Sequence, residues 1–360
     1  MFIGVCGSAY AGKETVADYL VKQFGFTRLT LDETPSNSDT STPSSSTPLS
    51  ASPPPSDPDS DSSPSPHHFT SALTLLDYVT TRWRSRFVTT HIPTTPILDL
   101  YSRRPFFLLL SVDAPLLTRY HRFLTSPHPH PHKTYRGLPT PPCPLETFTS
   151  FSDDDLFDSA HGQLPLMSRA TVRILNTSSD VTALYATLDK LNLLNPDRLR
   201  PSWDAYFMSL ASLAAQRSNC MKRRVGCVVV RDRRVISTGY NGTPRGLLNC
   251  GEGGCGRCNA GQGSGEGLAT CLCLHAEENA LLEAGRERLR EGAVLYCDTC
   301  PCLTCSIKIV QVGISEVVYS QEYSMDSMTA TVLREGGVRL RQFVPPENGL
   351  IRLEKPEEYN

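Results

Sequence analysis

Apolar positions fall in short blocks separated by helix-like spacings, and this pattern organises the chain. Phe2–Cys6 reads as a buried strand and Val16, Ala17, Tyr19, Leu20 and Phe24 as one face of a helix. Phe106–Val112 reads as a strand and Ala114–Phe123 as a helix, followed by a strand at Val172–Asn176 and a helix at Val181–Leu194. Alternation of this kind predicts a parallel α/β sheet. Further on, Ser202–Gln216 is an amphipathic helix, and Val225–Arg231 and Val235–Tyr240 are strands joined by a tight turn at Asp232–Arg234. Helices follow at His275–Glu291, Pro301–Val312 and Met325–Glu335, each ended by glycine, with strands at Ala293–Asp298, Glu316–Ser320 and Val338–Phe343. The order α-β-β-α-β-α-β-α-β gives a five-stranded sheet whose last three strands are joined by helical crossovers and so run parallel.

The blocks are interrupted twice. Thr34–Pro66 contains only Ser, Thr, Pro, Asp and Asn apart from Leu49 and Ala51. Such a segment buries too little apolar surface to offset its ordering entropy. A second loose stretch, about Ser126–Leu164, carries Pro-His alternation at His128, His130 and His132, read as a solvated proline-rich loop rather than a metal site. These stretches account for an apolar fraction of 39%, below the usual range. The resulting division is residues 1–32 and 69–195 as one domain, 33–68 as a disordered insertion, 200–345 as a second domain and 346–360 as a tail.

Net charge is −2 over 360 residues, which disfavours a general nucleic-acid binder. No apolar run is long enough to span a membrane, and the first residues lack the pattern of a signal peptide, so a cytoplasmic (or nuclear) location is expected. The 13 cysteines then argue for metal or catalysis rather than disulfides. Eleven of them lie between Cys220 and Cys305, where His275 is the only histidine.

His275-Ala276-Glu277 and Pro301-Cys302-Leu303-Thr304-Cys305 carry the strongest chemical signal. Cys302 and Cys305 share one helix face, and Pro301 suits a helix start. Both sets sit at helix N-termini, where the positive dipole end favours thiolates. One histidine and two cysteines fill three positions of a tetrahedral zinc and leave a fourth open, as in catalytic sites. Glu277, two residues past the ligand, stands beside the metal as a general acid and base.

The spacing His-x-Glu…Pro-Cys-x-x-Cys is the signature of zinc deaminases. With Gly239-Tyr-Asn-Gly-Thr-Pro244, Cys273-Leu-His-Ala-Glu-Glu-Asn-Ala280 and Leu295–Cys305, residues 202–343 resemble the cytidine deaminase superfamily, and within it the deoxycytidylate (dCMP) deaminase family in its fungal form. The resemblance implies a three-layer α/β/α fold, a Zn2+ cofactor and hydrolysis of dCMP to dUMP and ammonia, supplying dUMP for thymidylate synthesis. It also implies a homo-oligomer, often a hexamer, activated by dCTP and inhibited by dTTP. Glu277 would carry protons between water and the pyrimidine ring, and Asn241 would hold the sugar, or else serve as a turn residue. Lys222 and Arg224 lie in a basic run suited to substrate or effector phosphate, or to a solvated loop.

The remaining cysteines suggest a second, structural zinc, held by Cys250, Cys255 and Cys258 with one of Cys220, Cys271 and Cys273; reduced thiols are the alternative. Near the N-terminus, strand, glycine loop and helix form a phosphate-cradling unit with Gly12, Lys13 and Thr15, which resembles small P-loop nucleotide kinases. Glu14 stands where most such loops have Ser or Thr, so regulatory nucleotide binding, with Mg2+ possible, or a purely structural role is expected over kinase activity. Competing readings are another deaminase of the superfamily (cytidine or deoxycytidine, riboflavin-pathway, tRNA) and a nucleotide-sensing binding protein.

Overall fold

The computed structural model describes residues 1–31, 67–125, 139–178, 180–263, 266–289, 291–322 and 327–344, with the backbone of 349–352. The chain divides into two compact units, Met1–Leu199 with Glu347–Asn360, and Arg200–Pro346.

The first unit is built on strands β1 (Phe2–Gly7), β2 (Thr27–Leu31), β3 (His67–Phe69), β4 (Phe87–Thr89), β5 (Phe107–Asp113) and β6 (Val172–Leu175). Its helices are α1 (Lys13–Phe24), α2 (Ala72–Thr81), α3 (Thr95–Ser102), α4 (Leu116–Thr125), α5 (Leu145–Phe157), α6 (Leu164–Ser168) and α7 (Val181–Leu191). All pairings in this sheet are parallel. β1 lies at the centre, and every residue of it is buried, as expected of a strand covered on both faces. Alternation along it feeds two cores. Ile3 and Val5 pack with Val16, Leu20, Leu184 and Leu188 of α1 and α7. Phe2 and Cys6 pack with Leu75, Val79, Leu98 and Tyr101 of α2 and α3.

The second unit holds α8 (Trp203–Ala215), β7 (Gly226–Arg231), β8 (Arg234–Tyr240), α9 (Gly256–Asn259), α10 (Ala276–Ala284), β9 (Val294–Thr299), α11 (Leu303–Val312), β10 (Glu316–Gln321), α12 (Ser327–Glu335) and β11 (Arg339–Gln342). The sheet runs β11-β10-β9-β7-β8. β9, β10 and β11 are parallel, while β7 is antiparallel to both β8 and β9. Asp232 and Arg233 turn the β7–β8 hairpin with positive φ of 51° and 59°, the tight-turn geometry that matches strand twist. One face packs α10, α11 and α12 through Ala276, Ala280, Ile309 and Leu333. The other packs α8 through Phe207, Met208 and Ala211. This is a three-layer α/β/α unit.

Four expectations change. His67 and His68, assigned to the insertion, belong to strand β3 beside β2. The stretch read as loose contains helix α5, because Phe148 and Phe151, at helical spacing among Ser, Thr and Asp, bury against Phe123 and Ala9. The helix from His275 ends at Ala284 rather than Glu291, since Gly285 leaves the helix at φ 65° and a short 3₁₀ turn follows. The final segment returns to the first unit as β12 (Gly349–Arg352), pairing parallel to β6 at the edge of its sheet, in the order β12-β6-β5-β1-β4-β2-β3. The rest of the insertion, 33–66, and His128, His130 and His132 lie outside the described residues. Among the described residues no helix is long and apolar enough to cross a membrane.

Candidate active site

β8 and α10 approach each other unusually closely. A Cβ on Gly239 would stand 2.1 Å from the Ala276 carbonyl oxygen and 2.4 Å from the Ala280 nitrogen, so only glycine fits there. Two side chains fasten the contact: the Ser237 hydroxyl donates to the Ala280 carbonyl at 2.8 Å, and the Asn279 amide donates to the Tyr240 carbonyl at 3.0 Å. The start of α10 is thereby fixed against the end of β8, with His275 at its N-cap. Cys302 occupies the N-cap of α11, which follows β9. An ion pair between Lys308 and Glu278, 2.7 Å, links the two helices.

These two helix starts converge. The His275 Nδ1 lies 3.4 Å from the Cys302 Sγ and 3.5 Å from the Cys305 Sγ, and the three ligand atoms fall within 4.8 Å of one another. A tetrahedral zinc, with Zn–N near 2.0 Å and Zn–S near 2.3 Å, sets a nitrogen and a sulfur ligand about 3.6 Å apart. The donor set and spacing fit zinc, with one coordination position left over. The hydrogen bond with the Cys305 thiol, helped by His275 and the Thr304 hydroxyl, pulls the Cys302 thiol down to about 3, so one sulfur is anionic at neutral pH. The bond to Cys302 in turn raises the imidazole of His275. Glu277 is 4% exposed, and burial pushes its carboxyl up to about 7. A carboxyl poised near neutrality is suited to exchange protons in both directions.

A family model described as the cytidine and deoxycytidylate deaminase zinc-binding region matches residues 201–321. The deoxycytidylate deaminase of Schizosaccharomyces pombe is 55% identical over 277 residues, 77% of this chain and 83% of its own. That of Saccharomyces cerevisiae is 42% identical over 352 residues, 95% of this chain and 96% of its own. The chain belongs to the deoxycytidylate deaminase family. The deoxycytidylate deaminase of Mycobacterium phage D29 is 48% identical over 128 residues, which are 34% of this chain and 98% of the phage protein.

Around the family's His-x-Glu and Pro-Cys-x-x-Cys segments, the remaining sequence candidates divide. The Asn241 Oδ1 accepts the Ala276 N–H at 2.8 Å, and its Nδ2 donates to the Arg223 carbonyl at 3.4 Å. Its amide thus holds the backbone between His275 and Glu277. Lys222 and Arg224 are exposed, and the Lys222 ammonium donates to the Gln262 carbonyl at 2.8 Å. Two residues escaped the sequence reading. Asp298 on β9 accepts the Gly226 N–H at 3.2 Å, while its Oδ1 is buried without a hydrogen-bond partner. Burial raises this carboxyl to about 6. Asp204 accepts two Arg341 N–H groups at 2.7 and 3.1 Å and the Tyr296 hydroxyl at 2.8 Å. Asp298 lies within the Leu295–Cys305 stretch without a role assigned from it, Asp204 stands in no motif, and for both only the fold brings the partners together.

The expected set Cys250, Cys255 and Cys258 does not close around one point. Two foursomes do: Cys220, Cys250, Cys258 and Cys273, and Cys255, Cys258, Cys271 and Cys273. Cys250 and Cys255 stand in different ones, and Cys258 belongs to both.

In the first unit, the glycine loop does turn between β1 and α1, with Gly12 at the N-cap in the left-handed region and Thr15 in the first turn. A Cβ on Gly7 would stand 1.9 Å from the Val112 carbonyl oxygen. The loop's polar groups are engaged from within. Lys13 donates to the Gly7 carbonyl and, at 3.2 Å, to that of Ser8. The Ala9 N–H donates to the Asp155 carboxylate of α5 at 2.8 Å, a place where an anion-binding loop would present a donor to phosphate. Glu14 is paired with Arg28 at 2.8 Å.

Proposed function

We propose that the chain hydrolyses dCMP to dUMP and ammonia. The reading is carried by the convergence of His275, Cys302 and Cys305 beside the buried Glu277 in a chain 55% identical to a curated deoxycytidylate deaminase. Zinc bound by the three ligands supplies a Lewis acid. The chain's own residues do the rest. Glu277 takes one proton from the attacking water and passes it to N3 of the ring; it then takes the second proton from the new C4 hydroxyl and gives it to the amine as the C4–N bond breaks. Asn241 keeps the peptide between His275 and Glu277 in place and, on the resemblance, reaches the sugar. The exposed Lys222 and Arg224 offer charge for the phosphate.

The test is ammonia release from dCMP, deoxycytidine and cytidine by the purified full chain. Turnover of dCMP above both nucleosides is expected; turnover of deoxycytidine without dCMP would overturn the substrate. The same assay with dCTP and dTTP examines the regulation that the family resemblance implies, activation by the first and inhibition by the second. Association of copies, as a hexamer on the family resemblance, has support in the exposed Trp203, Tyr206 and Leu213 of α8, and is read by light scattering. We read the first unit as a P-loop nucleotide-kinase-like domain, a reading supported by its strand, glycine loop, helix and parallel sheet. Engagement of Lys13 and the Ala9 N–H within the chain favours a structural or regulatory role over phosphoryl transfer.

A further inference from the structure

Six cysteines between Cys220 and Cys273 form a cluster with no aliphatic member: Cys250, Cys255, Cys258 and Cys273 are buried, and Cys220 and Cys271 pack against them. Among the described residues between Asn249 and Leu274 no element exceeds the four residues of α9, and no apolar core is formed there. Small units of this kind need a staple such as a structural metal. The cysteines are free thiols, and the sulfurs of Cys255 and Cys271, like those of Cys258 and Cys271, are 3.9 Å apart, far beyond a disulfide bond. Cys258 and Cys273 are 4.0 Å apart. Two sulfurs on one tetrahedral zinc stand about 3.8 Å apart.

The decisive feature is how the two foursomes overlap. Each closes within 4.8 Å, and they share Cys258 and Cys273. Two tetrahedra with a common edge require four terminal and two bridging thiolates, and the cluster supplies that number. Cys220 and Cys250 lie at one end, Cys255 and Cys271 at the other. Donors face the sulfurs as they do around thiolate-bound metals: the Leu272 N–H reaches Cys255 at 3.3 Å, the Met221 N–H reaches Cys250 at 3.5 Å, and the Arg257 guanidinium lies 4.0 Å from Cys271. Two zinc ions with six thiolates carry a net charge of −2, against which the largely buried Arg257 is set.

We propose that these six cysteines hold a binuclear zinc–thiolate cluster bridged by Cys258 and Cys273, separate from the His275 site and independent of the reading given to that site. Its position gives it a task. Cys273 lies two residues before His275, and Leu274 exchanges backbone hydrogen bonds with Gly242, donating at 2.8 Å and accepting at 3.2 Å. The cluster therefore anchors the chain that enters α10.

The full chain, loaded with zinc and then exchanged with cadmium-113, provides the test. Three zinc ions per chain are expected. The cadmium spectrum should show two tetrathiolate resonances with mutual scalar coupling through the bridging sulfurs. A single tetrathiolate resonance, or two without coupling, would overturn the proposal. A wrong reading of the His275 site would instead remove only the third, mixed nitrogen–sulfur resonance and leave the coupled pair. Cys220→Ser and Cys271→Ser, one at each end, should both lower the zinc count. Under a mononuclear site one of the two would leave it unchanged.

Discussion

Glu277 has to be buried to work and pays for burial in stability. Its carboxyl sits near 7 in the folded chain without metal, against an ordinary value of 4.5. A raised carboxyl favours folding while protonated, and the advantage is lost as pH rises from about 4.5 through 7. The difference is about 3 kcal/mol at 1.36 kcal/mol per unit. In zinc-stripped protein, wild type should therefore lose about that much stability relative to Glu277→Gln across this window, read by denaturant unfolding at several pH values. A difference that stays flat with pH would refute the burial argument. With zinc bound, Glu277→Gln should lower kcat by about 10²–10⁴-fold while zinc content stays constant. The candidate site of His275, Glu277, Cys302 and Cys305 was legible from spacing because each of its two motifs is local in sequence. Asp298 and the grouping of the other cysteines were not, since Gly226 lies 72 residues from Asp298 and Cys271 lies 13 from Cys258.

Among the elements, the ligand helices depend on a close approach and on a charged clamp. Gly239→Ala drives a methyl into the Ala276 carbonyl, and overpacking of this kind costs about 1–3 kcal/mol. Lower unfolding free energy together with weakened zinc retention is expected. The clamp joins α8 to the sheet. Arg341 contacts Asp204 at 2.7 Å and Glu316 at 2.9 Å, and it is the first cause holding the Asp204 carboxyl below its usual range. Hydrogen bonds and ionic attraction from Arg339 and Arg341 likewise hold Glu316 down against its burial. Depressed carboxyls stabilise the fold above their unfolded pKa and lose that contribution as pH falls. Arg341→Met should cost about 1–2 kcal/mol at pH 7, with the deficit shrinking below about pH 4. A deficit constant from pH 7 to pH 3 would argue for packing instead. Long, strongly patterned elements such as β1, β5, α8 and α11 were readable from periodicity. α5 was hidden because two buried phenylalanines are a weak signal in a Ser-, Thr- and Asp-rich run.

At the scale of the whole chain, the return of the last segment is the least local feature. β12 pairs with β6 across more than 170 residues in sequence. A chain ended at Val344 should lower the melting transition of the first unit by roughly 5 °C, with the zinc count of the second unit unchanged. An unaltered melting profile would show that the edge strand contributes nothing.

Sequence by itself determined the alternation of strands and helices and the candidate site of His275, Glu277, Cys302 and Cys305. Those properties rest on periodicity and on spacings of two or three residues, which backbone geometry converts directly into shared faces. Tertiary structure alone decided the edge strand, the internal engagement of the glycine loop by Asp155 and the sharing of Cys258 and Cys273 between two foursomes. Each of these joins groups that are distant along the chain, and closing such distances costs entropy that only the packed fold repays.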